Sequence, residues 1–465
     1  MRVNGVTTLK TTYSYDPASR IASITYPSGW TVSQIRDIMG RIWQLPFTTP
    51  ASTVAGNAIT NATYEPFGPL YTLTYGNGVN ESRRFDLDYR VLSLTDAGTS
   101  TLQSLTYAYD ANDNVSSIAD GVTAGNSQAF GYDVLNRLIT ASGNYGAFAW
   151  TYDKNGNRLT QTLGGALASY AYTAGTNRLA SITASGSTTP VGYIATGNIS
   201  SIPPTTGAAV ATLTYSAANR LASVTGTPVA ITAIKYDAFG QRFSKADPGS
   251  NPILYTYDQS GNLLEETDGH GLLIDYVYLN GRPVAEITGG KVYYTNADRL
   301  GTPQLVTDAS QNVVWSTTYQ PFGATSIPVG SISQNLRFPG QYADGETGWN
   351  HNGFRDYMPS VGRYLENDPI GLLGGLNSYR YAKANPGAFT DRWGLDPIGD
   401  IVDQFGDLVG DKTKETATSI DLQGIGLSEK PSRITAKVCV TAWNLAAKGK
   451  FSWKGLAEKL LEDYA

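Results

Sequence analysis

Cysteine occurs once in the 465 residues, as Cys439, and histidine twice, as His270 and His351. One thiol excludes an internal disulfide framework, so strand pairing and burial must hold the fold. Cys439 has no histidine in its segment and reads as a buried structural thiol rather than a nucleophile. The histidines lie far apart without Cys partners, which argues against zinc, and no cofactor is expected. Charge is also scarce. Asp, Glu, Lys and Arg make up 16% of the chain, against about 25% in ordinary soluble domains. The net charge of −5 argues against a surface that grips nucleic acid throughout, so nucleic acid enters only if the last segment is a nuclease. No run reaches the roughly 18 apolar residues of a membrane span. The opening MRVNGVTTLK lacks the apolar stretch of a signal peptide. Export is therefore expected to need a secretion machine or an upstream region, and the abrupt entry into the first repeat points to truncation.

What the chain has instead is tyrosine (30) and glycine (50). They recur in related units: YSYDPASRIASI from Tyr13, YAYDANDNVSSI from Tyr107, WTYDKNGNRLTQ from Trp150 and YTYDQSGNLLEE from Tyr255. Aromatics at i and i+2 share one face of a strand, Asp and small residues make a turn, and Arg-Leu or Asn-Leu begins a return strand. Each unit is a predicted β-hairpin. Single hairpins are marginal in water, so the units must stack edge to edge, giving a long antiparallel sheet that winds as a spiral. The nine-residue beat of calcium-binding β-rolls is absent, so the repeat aspartates are turn formers. Packing is the default role of the tyrosines, with outward-facing rings as candidate carbohydrate contacts.

Between Leu336 and Leu395 glycines and prolines recur every few residues, with Phe338, Tyr342, Trp349, Phe354, Tyr357, Tyr364, Tyr379, Tyr381 and Trp393 between them. This predicts a compact plug of turns and aromatic anchors packed on a larger surface. It contains two Asp-led motifs, Asp368-Pro-Ile-Gly371 and Asp391-Arg-Trp-Gly394. Taken alone, the first is a type I turn. Two carboxylates brought together cannot both ionise easily, so one can act as a general acid while the other activates water to cut a peptide bond. A nearby arginine, Arg355 or Arg363, would split their roles.

After Leu395 the repeats stop. Ile401, Val402, Phe405, Leu408 and Val409 recur at helical spacing, and Leu456, Leu460, Leu461 and Tyr464 share a face behind Ser452 as N-cap. A small α-rich domain is expected over 396–465. It holds no histidine and no CxxC, HExxH or P-loop pattern, and its Lys448, Lys450 and Lys454 read as a solvated helix face.

The runs RFPGQYADGETG, NGFRDY, GRYLENDPIGLLGGLNSYRYAKANP and DRWGL resemble the core domain of bacterial Rhs (rearrangement hot spot) proteins, and the upstream units resemble their YD repeats. The resemblance covers about residues 11–395. It implies a mainly β fold in which the spiral sheet closes as a hollow shell. It divides the chain into repeats (1–291), a core plug (292–395) and a variable effector (396–465). It also implies self-cleavage between Leu395 and Asp396 by Asp368 and Asp391, with Arg355 in support. Arg392 stands where the family has proline, leaving that turn without a fixed φ. The implied role is a polymorphic toxin shell for interbacterial competition, cytoplasmic before export and then secreted or at the cell surface. An immunity protein against the tail is the implied partner. The competing expectations are a cell-surface adhesion or carbohydrate-binding scaffold and a truncated remnant that does not cleave.

Overall fold

The computed structural model describes all residues except 1, 5–6, 52–53, 67, 203–209, 227–229 and 396–465. The expected α-rich domain, Cys439 and the lysine cluster lie outside the described residues.

The repeat motif folds as its chemistry dictates. In the unit at Trp150, strands Gly146–Tyr152 and Arg158–Leu163 pair antiparallel, with a bulge between Thr151 and Tyr152. Asp153 closes the turn: Oδ1 accepts the N–H groups of Asn155 (2.8 Å) and Asn157 (2.9 Å), and Oδ2 accepts the Asn157 side-chain amide (2.8 Å). Gly156 takes the left-handed conformation the turn needs (φ +79). Where arginine replaces asparagine at the fourth position, as in Asp133 and Arg137, the Oδ2 bond becomes an ion pair of 2.6 Å. The repeat aspartates are thus occupied by their own turns.

The tyrosine that ends the first strand of each hairpin joins it to the previous one. Tyr152 donates to the Leu138 carbonyl (2.9 Å), Tyr172 to Arg158 (2.9 Å) and Tyr257 to Arg242 (2.8 Å). The turn arginine lies over the next tyrosine ring, as Arg137 does over Tyr152 at 5.0 Å. Such a contact is worth about 0.5–1 kcal/mol near the surface. Phe148 and Trp150 are buried on the inward face while Ala147, Ala149 and Thr151 stay exposed, which is the expected period of two.

One sheet runs from Thr12–Tyr15 to Ser187–Pro190, a four-stranded sheet from Gly192–Tyr193 to Leu221–Thr225, and a ten-stranded sheet from Ala233–Tyr236 to Thr325–Gly330. The late sheet returns against the early one. Tyr26 donates to the Tyr276 carbonyl (2.8 Å), Ser28 to Asp275 (2.6 Å) and Asn77 to the Asp308 carbonyl (2.9 Å). Leu45, Ile59 and Leu73 share one core with Val277, Val284 and Ile287. This return is the spiral expected from the repeats, and the fold is mainly antiparallel β. Among the described residues no helix is long and apolar enough to cross a membrane.

The plug has its own sheet of Gln341–Asp344, Trp349–Asn352, Arg355–Met358 and Arg363–Tyr364. Tyr357, Tyr364 and Tyr381 form its centre with Phe338. It sits on the turn ends of the repeats. Asn385 bonds Asn114 (2.7 Å), Asn377 bonds Asn157 (2.9 Å), and Tyr379 donates to the Gly197 carbonyl (2.5 Å).

Candidate active site

Arg355 lies on the third plug strand and is 1% exposed. A buried guanidinium must find acceptors for its fixed fork of donors, and here every arm has one. Nε donates to the Gly394 carbonyl (2.6 Å) and Nη1 to the Ser378 carbonyl (3.0 Å). Nη2 lies 3.0 Å from Asp368 Oδ2 and 3.0 Å from Asp391 Oδ2. Both aspartates, expected to meet from the sequence, therefore share one nitrogen, and both are buried.

The two carboxyls have different surroundings. Asp368 caps its turn, with Oδ1 accepting the Ile370 N–H (2.9 Å), while Oδ2 accepts no aligned hydrogen bond. Burial pushes this carboxyl up to about 6, with the charge of Asp391 adding to the rise and Arg355 and the Ile370 N–H opposing it. Asp391 receives more donors. Oδ2 accepts the Tyr364 hydroxyl (2.7 Å) and Arg355, and Oδ1 accepts the Leu395 N–H (2.9 Å). The pair is thus split into a poorly solvated carboxyl whose proton affinity burial raises and a carboxyl that receives three donors.

The segment carrying Asp391 is pinned at each step. Asn352 donates to the Asp391 carbonyl (2.8 Å), and the Phe354 N–H donates to the Trp393 carbonyl (2.8 Å). Gly394 has φ +64, and a Cβ there would lie 2.3 Å from the Asn352 carbonyl oxygen, so only glycine fits. Arg392 bonds Asn262 on the repeat sheet and lies near the Trp393 ring. Arg392, where the resemblance implies proline, is thus held to the repeat sheet by its side chain. Leu395 is placed against Asp391; Asp396 lies outside the described residues.

Arg363, the other candidate arginine, points elsewhere: it donates to the Asn177 carbonyl (2.9 Å) and stacks on Tyr379 at 4.7 Å. His351 is buried beside Asp356 (3.2 Å), and burial lowers its proton affinity. His270 sits in an exposed turn. Sequence reasoning counted Tyr364 only as an anchor and passed over Asn352, because nothing local distinguishes a packing tyrosine from one that donates to a carboxylate.

The model for the RHS protein family matches residues 292–326. Over 110 residues the chain is 44% identical to double-stranded DNA deaminase toxin A of Burkholderia cenocepacia (strain H111), covering 23% of this chain and 8% of that protein. It is 25% identical to toxin subunit YenC1 of Yersinia entomophaga, covering 79% of this chain and 45% of that one. The chain thus spans less than half the length of either relative. Among solved structures, the Photorhabdus luminescens Tc holotoxin pore superposes with a TM-score of 0.70 at 22% identity, over 83% of this chain and 21% of that chain. That likeness shows the fold.

Proposed function

We propose that this chain, an Rhs-repeat protein with a toxin-type shell fold, cuts itself between Leu395 and Asp396 and so frees the segment 396–465 from its plug. The observation that carries the reading is the Arg355, Asp368 and Asp391 cluster, with Leu395 hydrogen-bonded to Asp391 at 2.9 Å. Asp391 takes a proton from a water molecule as its oxygen adds to the Leu395 carbonyl carbon, and Asp368 gives its proton to the carbonyl oxygen. The resulting gem-diol collapses: a hydroxyl returns a proton to Asp368 as the C–N bond breaks, and the nitrogen takes the proton held by Asp391. The products are a Leu395 carboxyl and an Asp396 amine, with one water consumed. Arg355 holds both acids through one nitrogen and, through the Gly394 carbonyl, the chain entering the scissile bond.

The biological setting follows from this reading. The toxin names of the relatives support a harmful cargo; its use against competing bacteria, an immunity partner in the producer and export by a dedicated machine belong to the same proposal. No activity is assigned to 396–465.

The test is the intact mass of the purified full chain under denaturing conditions. Two fragments meeting at Leu395 and Asp396 are expected. A single uncut mass would overturn self-cleavage and leave an inert plug or a display scaffold.

A further inference from the structure

We infer that Tyr364 is a positioning residue for self-cleavage, a donor oriented by Asn352 that keeps Asp391 as the acceptor of the water proton. The inference rests on the self-cleavage reading and deepens it.

The orientation follows from atom types. Asn352 lies within 2.8 Å of the Asp391 carbonyl oxygen, which can only accept, so the amide must present Nδ2 there. The same Nδ2 is 2.8 Å from the Tyr364 hydroxyl, which must then accept from it. The hydroxyl proton is left pointing at Asp391 Oδ2, 2.7 Å away. A free hydroxyl rotates; this one has a fixed direction. Asn352 and Tyr364 are both fully buried, so no water competes for these bonds.

The ring has a second role. The Arg355 guanidinium lies 3.6 Å from the Tyr364 ring centroid, in cation–π contact. Tyr357 and Tyr381 pack on the other sides of the ring, at 5.7 and 5.9 Å between centroids. One side chain therefore supports the arginine with its face and the carboxylate with its hydroxyl. Among the described residues, the charged groups facing Asp391 include Arg355 and Asp368. Burial and the charge of Asp391 hold Tyr364 itself neutral, so it donates at every working pH.

The experiment separates hydroxyl from ring. Wild type, Tyr364→Phe and Asn352→Ala are made as full chains by brief cell-free translation. Synthesis is then stopped, and cutting is followed by denaturing gel after dilution into buffers from pH 4.5 to 8.5. Tyr364→Phe is expected to slow cutting about tenfold to a hundredfold, the loss of one charge-assisted hydrogen bond. The acid limb of its pH profile should move to higher pH, because the hydroxyl no longer donates to the group that takes the water proton. Asn352→Ala frees the hydroxyl to rotate and should shift the same limb by less. Melting temperature is recorded for each, since a merely structural role would change stability and leave the shape of the profile alone. If wild type cuts while Tyr364→Phe keeps its rate and profile, the inference fails and the dyad stands. If Tyr364→Phe does not fold, the decision passes to Asn352→Ala, where an unmoved limb overturns the inference. If wild type does not cut, both readings fall.

Discussion

Arg242 of the repeat sheet and Asp344 of the plug meet at 2.7 Å in a space closed to solvent, with side chains 1% and 4% exposed. Lys245 adds a second contact to Asp344 at 3.0 Å and reaches Glu346 at 2.7 Å. Burial alone would raise the Asp344 carboxyl, but the two cations outweigh it and hold it well below the usual range. The plug is thus fastened to the sheet by a charge that cannot be removed cheaply. Asp344→Ala leaves two buried cations short of a partner and should cost about 3–5 kcal/mol. Thermal unfolding and limited proteolysis of the plug would show it; an unchanged melting temperature would mean the pair is idle.

The two aspartates proposed to cut the chain should respond alike in cleavage and oppositely in stability. Asp368→Asn and Asp391→Asn should each leave a single uncut chain. Ionised Asp368 is unfavourable in its buried position, since its folded value of about 6 stands above the 3.8 of the free group. Its contribution to stability is present below 3.8 and lost as pH rises through 6. Near pH 8 the neutral amide should therefore raise stability by roughly 2–3 kcal/mol, at about 1.4 kcal/mol per unit. Asp391→Asn removes the carboxylate that accepts from Arg355 and Tyr364 and should lower it. Calorimetry of the two variants decides the matter, and equal melting shifts of the same sign would mean that the acids are not differentiated.

The same asymmetry sets the pH dependence. Asp368 serves as an acid only while protonated, below about 6. Cutting should fall roughly tenfold for each unit of pH above that value. A time course of freshly translated chain at pH 5 to 8.5 measures it, and a rate that climbs steadily to pH 8.5 would exclude Asp368 as the acid.

How much of this was legible in the sequence depends on the range of the contacts. The Asp153 turn is closed by donors two and four residues away, so its motif is local and reads directly. The meeting of Asp368 with Asp391 is expected from two Asp-led turns at the point where the composition changes and from the resemblance to Rhs cores, while either motif alone reads as a turn. The choice between Arg355 and Arg363 could not be made from the residues alone, since both lie on short plug strands and differ only in what the fold brings to them. Tyr364 and Asn352 carry no local sign of their role because their partners are 27 and 39 positions away. The Arg242 and Asp344 pair is more distant still.

The tightest backbone approach in the plug gives the last prediction. Gly340 has φ +82, and a Cβ there would lie 1.9 Å from the Arg392 carbonyl oxygen and 2.7 Å from its Cα. The obstacle is main chain, so no side-chain rotation relieves it. Gly340→Ala must push the loop bearing Arg392 outward, and Asp391 precedes it directly. Displacing a catalytic group by about 1 Å can cost about a hundredfold in rate. Gly345 is the control, with nothing within 4 Å of its added Cβ. Cleaved fraction at fixed times on a denaturing gel should fall sharply for Gly340→Ala and stay at the wild-type level for Gly345→Ala. Equal cutting by the two variants would mean that the loop position does not control the dyad.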